Sequence, residues 1–167
     1  ELIYASGTAM NSFGDYDGKV IHNINVQKTK DTMILVSAVR LPAPDKGDIE
    51  WRMRKLADML NAAEIPFIWL NYSDGGLQNP PKNFYNMGVT FDMQSIVSKA
   101  TYSVLLSDSE CWPYALLESL TAKTPVICTP FPSAMEMGVK DGVNGHVIPF
   151  NMEYDVTKLL DVPEFDF

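Results

Sequence analysis

The stretch Tyr102–Thr129, YSVLLSDSECWPYALLESLTAKTPVICT, decides the fold. Tyr102–Leu106 is a short apolar run of the kind that forms a strand buried on both faces. Pro113 stands where a proline opens a helix, and Tyr114–Ala122 follows with helical composition. Thr124-Pro125 breaks that helix, and Val126–Thr129 reads as a second buried strand. Strand, helix and strand within so few residues form a βαβ unit, which requires parallel pairing.

The same alternation extends in both directions. Upstream, Met33–Val39 (MILVSAV) is continuously apolar and partly β-branched, so it too reads as a buried strand. A loop with prolines and a glycine follows, and Ile49, Met53, Leu56, Leu60 and Ala63 then recur at helical spacing behind Asp48, a candidate N-cap. Phe67–Leu70 is the next strand, then the turn-rich loop NYSDGGLQNPPKN, a short strand at Gly88–Phe91 and a helix over Met93–Ala100. Downstream, Ser133–Met137 is a helical turn, Asp141–Gly145 a turn and His146–Pro149 a last strand. The expected fold class is therefore α/β, a Rossmann-like doubly wound parallel sheet over residues 31–150.

Residues 1–30 are expected to be an interdomain linker and the end of a preceding domain, with Lys19–Val26 as a strand. Residues 151–167 are expected to lead out of the domain. With no initiator methionine, the chain reads as a piece of a longer polypeptide.

Composition narrows the function classes. The 167 residues carry 13 Lys and Arg against 21 Asp and Glu, a net charge of −8. Such a balance disfavours a broad basic face for nucleic acid while leaving room for a local phosphate site. No apolar run approaches the roughly 18–20 residues of a membrane span. The two cysteines, Cys111 and Cys128, are too few for a disulfide framework, and no Cys/His spacing suggests zinc. A reducing, cytoplasmic setting fits.

In open α/β sheets ligands bind outside the carboxyl ends of the strands. The loops Arg40–Lys46, Ser107–Pro113 and Thr129–Ser133 lie there, each leading to a helix N-terminus that attracts anions. Arg40 and Lys46 are suited to clamp a diphosphate, although two solvated surface charges would look the same. Glu110 and Glu118 have seven residues between them. Carboxylates in this setting accept paired hydrogen bonds from a diol. Asp15-Tyr16-Asp17 mimics an acidic metal motif but falls in the linker, and no metal site is expected. His22, His146 and Cys111 read as structural.

Taken in order, AVRLPAPDKG (Ala38–Gly47), ECWPYALLESLTAKTPVIC (Glu110–Cys128), Glu136 and DGVNGHVIPF (Asp141–Phe150) resemble the C-terminal, donor-binding domain of retaining GT-B glycosyltransferases of the group 1, E-x7-E type. KVIHNINV is similar to the segment joining their two domains. The resemblance covers about residues 20–150 and implies half of a two-domain hexosyltransferase of polysaccharide-type, bacterial biosynthesis. Arg40 and Lys46 then match the cations on the donor's diphosphate, and Glu110 the glutamate facing the donor sugar. Glu118 matches the glutamate on the ribose diol, and Trp112, Pro113 and Tyr114 the stretch whose backbone approaches sugar and phosphate. The base would lie near Met87–Phe91. The implied donor is a nucleotide-diphosphate sugar, most often a UDP-sugar, with no metal cofactor. A glycan, lipid or protein acceptor would be bound mainly by the N-terminal domain, which can bring such an enzyme to the inner membrane face. The fragment alone is expected to transfer little.

Departures from the pattern are local. Cys111 and Pro113 stand where the family has glycines, Lys123 replaces the glycine before Thr-Pro, and Thr129–Pro132 replaces a Gly-rich turn. Pro113 brings no N–H. Two rivals share the sheet: a nucleotide-sugar epimerase half-domain, which would carry further His and carboxylates, and a non-enzymatic α/β binding domain, which a phospho-receiver would mark with clustered acids.

Overall fold

The computed structural model describes residues 20–21, 24–27, 32–43 and 47–166. Near the start, β1 (Val20–Ile21) and β2 (Ile24–Gln27) pair antiparallel as a separate two-stranded sheet, so the single strand expected over Lys19–Val26 is divided in two. His22 and Asp15-Tyr16-Asp17 lie outside the described residues.

The main body is a six-stranded parallel sheet. Its strands are β3 (Met33–Ser37), β4 (Phe67–Asn71), β5 (Phe84–Asn86), β6 (Tyr102–Leu105), β7 (Val126–Cys128) and β8 (Gly145–Val147). Their order across the sheet is β5-β4-β3-β6-β7-β8. The chain thus winds outward from β3 to β5, returns to the far side of β3, and winds the other way. That reversal opens a crevice beyond the carboxyl ends of β3 and β6, the topological switch point at which such sheets bind ligands.

Alternation along β3 sorts its side chains to both faces. Met33 and Leu35 join Ile49, Met53, Leu56 and Leu60 of helix α1 (Ile49–Ala62) in one core cluster. Ile34 and Val36 join Ile68, Leu70, Ile96 and Val97 in another, under helix α2 (Met93–Lys99). A third cluster joins Leu116 and Leu120 of α3 (Tyr114–Thr121) to Val126, Cys128, Phe131 and Ala134, the last from the short helix α4 (Pro132–Glu136). The βαβ reading of Tyr102–Thr129 is therefore the architecture seen.

One strand is displaced from its expected position. Gly88–Phe91 forms no strand, and the edge strand is Phe84–Asn86, immediately after the turn-rich loop. Phe84 is buried with its ring centroid 5.1 Å from that of Trp69, its register partner on β4. Burial against Trp69 selects Phe84, whereas Gly88, at a φ of 79°, turns the chain away from the sheet.

Residues 151–166 fold back on the sheet. Val156 and Leu159, on a 3₁₀ helix (Val156–Leu160), enter the first core cluster. The Tyr102 hydroxyl donates to the Leu159 carbonyl at 2.8 Å, and His146 Nε2 lies 2.8 Å from the Asp161 carbonyl oxygen. His146 is thus a structural residue, as its sequence context suggests.

Candidate functional site

The backbone beneath the crevice is held by Asn71, the fully buried last residue of β4. Its Oδ1 accepts from the Ser37 hydroxyl at 2.6 Å and from the Val39 N–H at 3.0 Å, and its Nδ2 donates to the Val39 carbonyl at 2.9 Å. Trp69 Nε1 donates to the same Ser37 hydroxyl at 2.9 Å. One amide side chain therefore fixes the backbone that leaves β3 and delivers Arg40 to the rim.

The other wall is the loop between β6 and α3. The Ser107 hydroxyl donates to Glu110 Oε1 at 2.8 Å, and the Ser133 hydroxyl donates to the Glu110 carbonyl at 2.7 Å. Glu110 is thereby held at both ends and faces a cleft of about 200 Å³ that Val39, Ile49, Leu105, Trp112 and Tyr114 also line. Pro113 lines the same cleft and is buried at the N-cap of α3, where its missing N–H leaves no intrahelical bond unmade. Trp112 and Tyr114 are 51% and 71% exposed, which leaves their rings open at the mouth.

Glu118, one turn along α3, lies on the solvent side of a smaller adjoining cleft that shares Ala38, Val39, Leu105 and Ala115 with the first. It also borders a surface depression of about 300 Å³ formed by Thr90–Gln94. The structure thus brings Glu110, Trp112, Pro113, Tyr114 and Glu118 to one continuous crevice.

Arg40 follows Val39 directly, and its guanidinium pairs with Asp74. Nη2 donates to Asp74 Oδ2 at 3.0 Å and Nε to Oδ1 at 3.3 Å, both side chains being exposed. The hydrogen bonds, followed by the opposite charge, raise the Arg40 pKa and hold the Asp74 carboxyl below the usual carboxylate range. Lys46 lies outside the described residues. Met87, expected beside the base, is 1% exposed and packs within the cluster around Ile34 and Ile68, so its side chain belongs to the core. The segment offers Val89 and Phe91 to the surface instead, Phe91 being 95% exposed.

Two further groups shape the rim. Arg52 is 3% exposed yet charged, and its fork donates to the Leu106 carbonyl at 3.1 Å, the Phe150 carbonyl at 3.0 Å and the Asp108 carboxylate. Asp108 Oδ2 also accepts the Asp48 N–H at 2.8 Å, so it caps α1 from another loop while the Asp48 side chain makes no cap bond. The hydrogen bond from Arg52 holds the Asp108 carboxyl below its ordinary range. The signal for Arg52 is present in the sequence, since it falls on the apolar stripe of α1 between Ile49 and Leu56. Asn71 has a weaker one, as the polar end of an otherwise apolar strand.

Among the described residues no three His, Cys, Asp or Glu side chains gather in a group able to hold a metal ion, and no helix is long and apolar enough to cross a membrane. Cys128 is buried, which pushes its thiol up to about 12, and Cys111 is exposed beside the cleft.

The fold recurs in known proteins. The fold is similar to that of the pneumococcal O-GlcNAc transferase GtfA, solved with UDP and GlcNAc (TM-score 0.58, 20% identity, 77% of this chain and 26% of that one). It is similar to Anabaena Alr3699/HepE, solved with UDP and glucose (TM-score 0.58, 20% identity, 78% and 38%). A third likeness is to a variant of S. aureus TarM, solved with Fondaparinux, alpha-GlcNAc-glycerol and UDP (TM-score 0.60, 16% identity, 96% and 35%). The chain spans between 26% and 38% of the length of these three structures. No curated protein matches the chain. Residues 82–162 match the family described as Glycosyl transferases group 1, a range that runs from the loop before β5 through Glu110, Glu118 and the 3₁₀ helix. The chain is accordingly a Rossmann-like α/β domain with the fold of GT-B structures, and its residues 82–162, just under half of its length, match the Glycosyl transferases group 1 family.

Proposed function

We propose that this chain is the donor-binding domain of a glycosyltransferase that moves a sugar from a nucleotide-diphosphate sugar, a UDP-sugar in the first instance, to a glycan, lipid or protein acceptor, with retention of configuration. The observation that carries this reading is the meeting of Glu110 and Glu118 on adjoining clefts at the switch point, one residue away from the backbone that bears Arg40. Glu118 accepts the ribose diol, a role suited to an exposed carboxylate beside the Thr90–Gln94 depression in which the base rests. Glu110, braced by Ser107 and Ser133, faces the hydroxyls of the donor sugar. Trp112 and Tyr114 offer apolar faces at the mouth, and the first amides of α3, beyond Pro113, lie close to sugar and phosphate.

The reaction breaks the bond between the anomeric carbon and the β-phosphate oxygen, and the electron pair leaves with the nucleotide diphosphate. Positive charge grows on the sugar as negative charge grows on the leaving group. Arg40 and Lys46 are assigned to that leaving charge, which is the main electrostatic task of the site. The acceptor hydroxyl then joins the anomeric carbon on the face the diphosphate leaves, and its proton passes to the departing phosphate oxygen. The acceptor is bound by a domain outside this chain, and the reaction is assigned to the cytoplasm, where UDP-sugars are used at the inner membrane face. The chain by itself is expected to bind donor and to transfer little.

Titration calorimetry with UDP, GDP and ADP tests the reading. Heat with one of them, markedly weakened in the Glu118→Ala variant, is the expected result. Absence of binding by all three at millimolar concentration overturns it.

A further inference from the structure

The cation assigned to the diphosphate is already engaged by an anion of the protein. Two N–H groups on one edge of the Arg40 guanidinium meet the two Asp74 oxygens, at 3.0 and 3.3 Å, in the same fork-to-fork manner in which arginine holds a phosphate. The contact is built into the backbone. Gly76 N–H donates to the Leu41 carbonyl at 3.0 Å, and a Cβ on Gly75 would overlap that same carbonyl oxygen, so only a glycine lets the Asp74 turn lie flush on the Arg40 loop. The turn is braced on its own side by the Ser73 hydroxyl, which accepts the Gly75 N–H at 3.1 Å. Beyond it, Asn86 Oδ1 accepts the Leu77 N–H and Nδ2 donates to the Leu77 carbonyl, each at 3.0 Å. The Arg40 fork is thus taken up by Asp74, and Arg40 is not among the residues that line the cleft Glu110 faces.

We propose that Asp74 is an internal anion that occupies the Arg40 fork until the donor's diphosphate displaces it. The inference rests on the nucleotide-sugar reading and adds a specificity-setting residue to it. A ligand with one weak negative charge fails to outcompete a preformed bidentate pair, whereas a diphosphate, with more charge and more oxygens, succeeds. Asp74 thereby lowers donor affinity and raises discrimination in favour of the diphosphate.

The test is a double-substitution cycle read by UDP titration of the chain, with GDP and ADP as parallel arms. Asp74→Asn keeps the shape of the side chain and removes its charge, and should tighten binding of the preferred nucleotide roughly two- to five-fold at low ionic strength, the worth of an exposed ion pair. High salt should erase the gain. In an Arg40→Ala background the same Asp74→Asn change should have no effect, because no fork remains to be freed. Unchanged or weaker binding by Asp74→Asn, with the parent chain binding normally, overturns the inference alone. So does a gain that survives Arg40→Ala, which would report only general charge. A lack of binding by the parent and every variant overturns the nucleotide reading and the inference with it.

Discussion

Gly47 lies directly against Asp108: a Cβ at Gly47 would overlap Oδ2 of that carboxylate, the atom that accepts the Asp48 N–H at 2.8 Å. Its φ of 67° adds a second reason for glycine at this position. The loop after β3 and the loop after β6 are therefore joined at their closest approach by a carboxylate on a helix N-terminus, and Arg52 anchors that carboxylate from beneath. Gly47→Ala is expected to destabilise the fold by about 1–3 kcal/mol, from left-handed backbone and steric overlap together. Denaturant unfolding measures it, and adding Asp108→Ala should recover part of the loss by removing the overlapping group.

The same carboxylate gives the fold a signed dependence on pH. Its folded pKa is depressed by Arg52, so its contribution to stability is complete above the ordinary carboxylate value of about 4 and is lost as pH falls through the lower folded value. Asp108→Asn should accordingly be less stable than the parent at neutral pH, and the gap between them should close on acidification below about pH 4. Unfolding curves at several pH values check it. A gap that widens in acid would contradict the assignment.

The sheet was legible because buried parallel strands are continuous apolar runs, and Met33–Ser37, Phe67–Asn71 and Tyr102–Leu105 stand within such runs. The edge strand was not, because a three-residue strand is chosen by one cross-strand contact, Phe84 on Trp69, which no local pattern records. The order of motifs along the chain puts Glu110 and Glu118 together, and both border the adjoining clefts, whereas Asp74, Asp108 and Asn71 act across 34, 56 and 32 residues of chain. Their partners become visible only once the sheet has folded. Met87 shows the converse error, since apolar character near a ligand segment does not separate a wall of the site from the core beneath it.

Asn71 is the residue whose loss should be felt both in stability and at the site. Buried at the end of β4, it makes three of the contacts that hold Ser37 and Val39. Asn71→Leu would leave the Val39 N–H and carbonyl unsatisfied in a buried setting, at a cost of about 1–3 kcal/mol for each group left without a partner. Denaturant unfolding is expected to show this loss. UDP binding measured well below the new unfolding midpoint should also weaken, because the backbone carrying Arg40 is released.

The two glutamates should separate under a nucleotide and its sugar. Glu118 is assigned to the ribose, which UDP and a UDP-sugar have in common, so Glu118→Ala should weaken both, by roughly ten- to a hundred-fold if a charged hydrogen-bond acceptor is lost. Glu110 faces the cleft rimmed by Trp112 and Tyr114 and is assigned to the transferred sugar. Glu110→Gln should therefore leave UDP affinity nearly unchanged while weakening UDP-glucose or UDP-GlcNAc, whichever the parent prefers. Calorimetry with the nucleotide and the nucleotide-sugar side by side distinguishes the roles. Equal losses for both ligands in both variants would mean that the carboxylates act as one charged patch. A Glu110→Gln variant that loses UDP while Glu118→Ala retains it would reverse the orientation of the donor along the crevice.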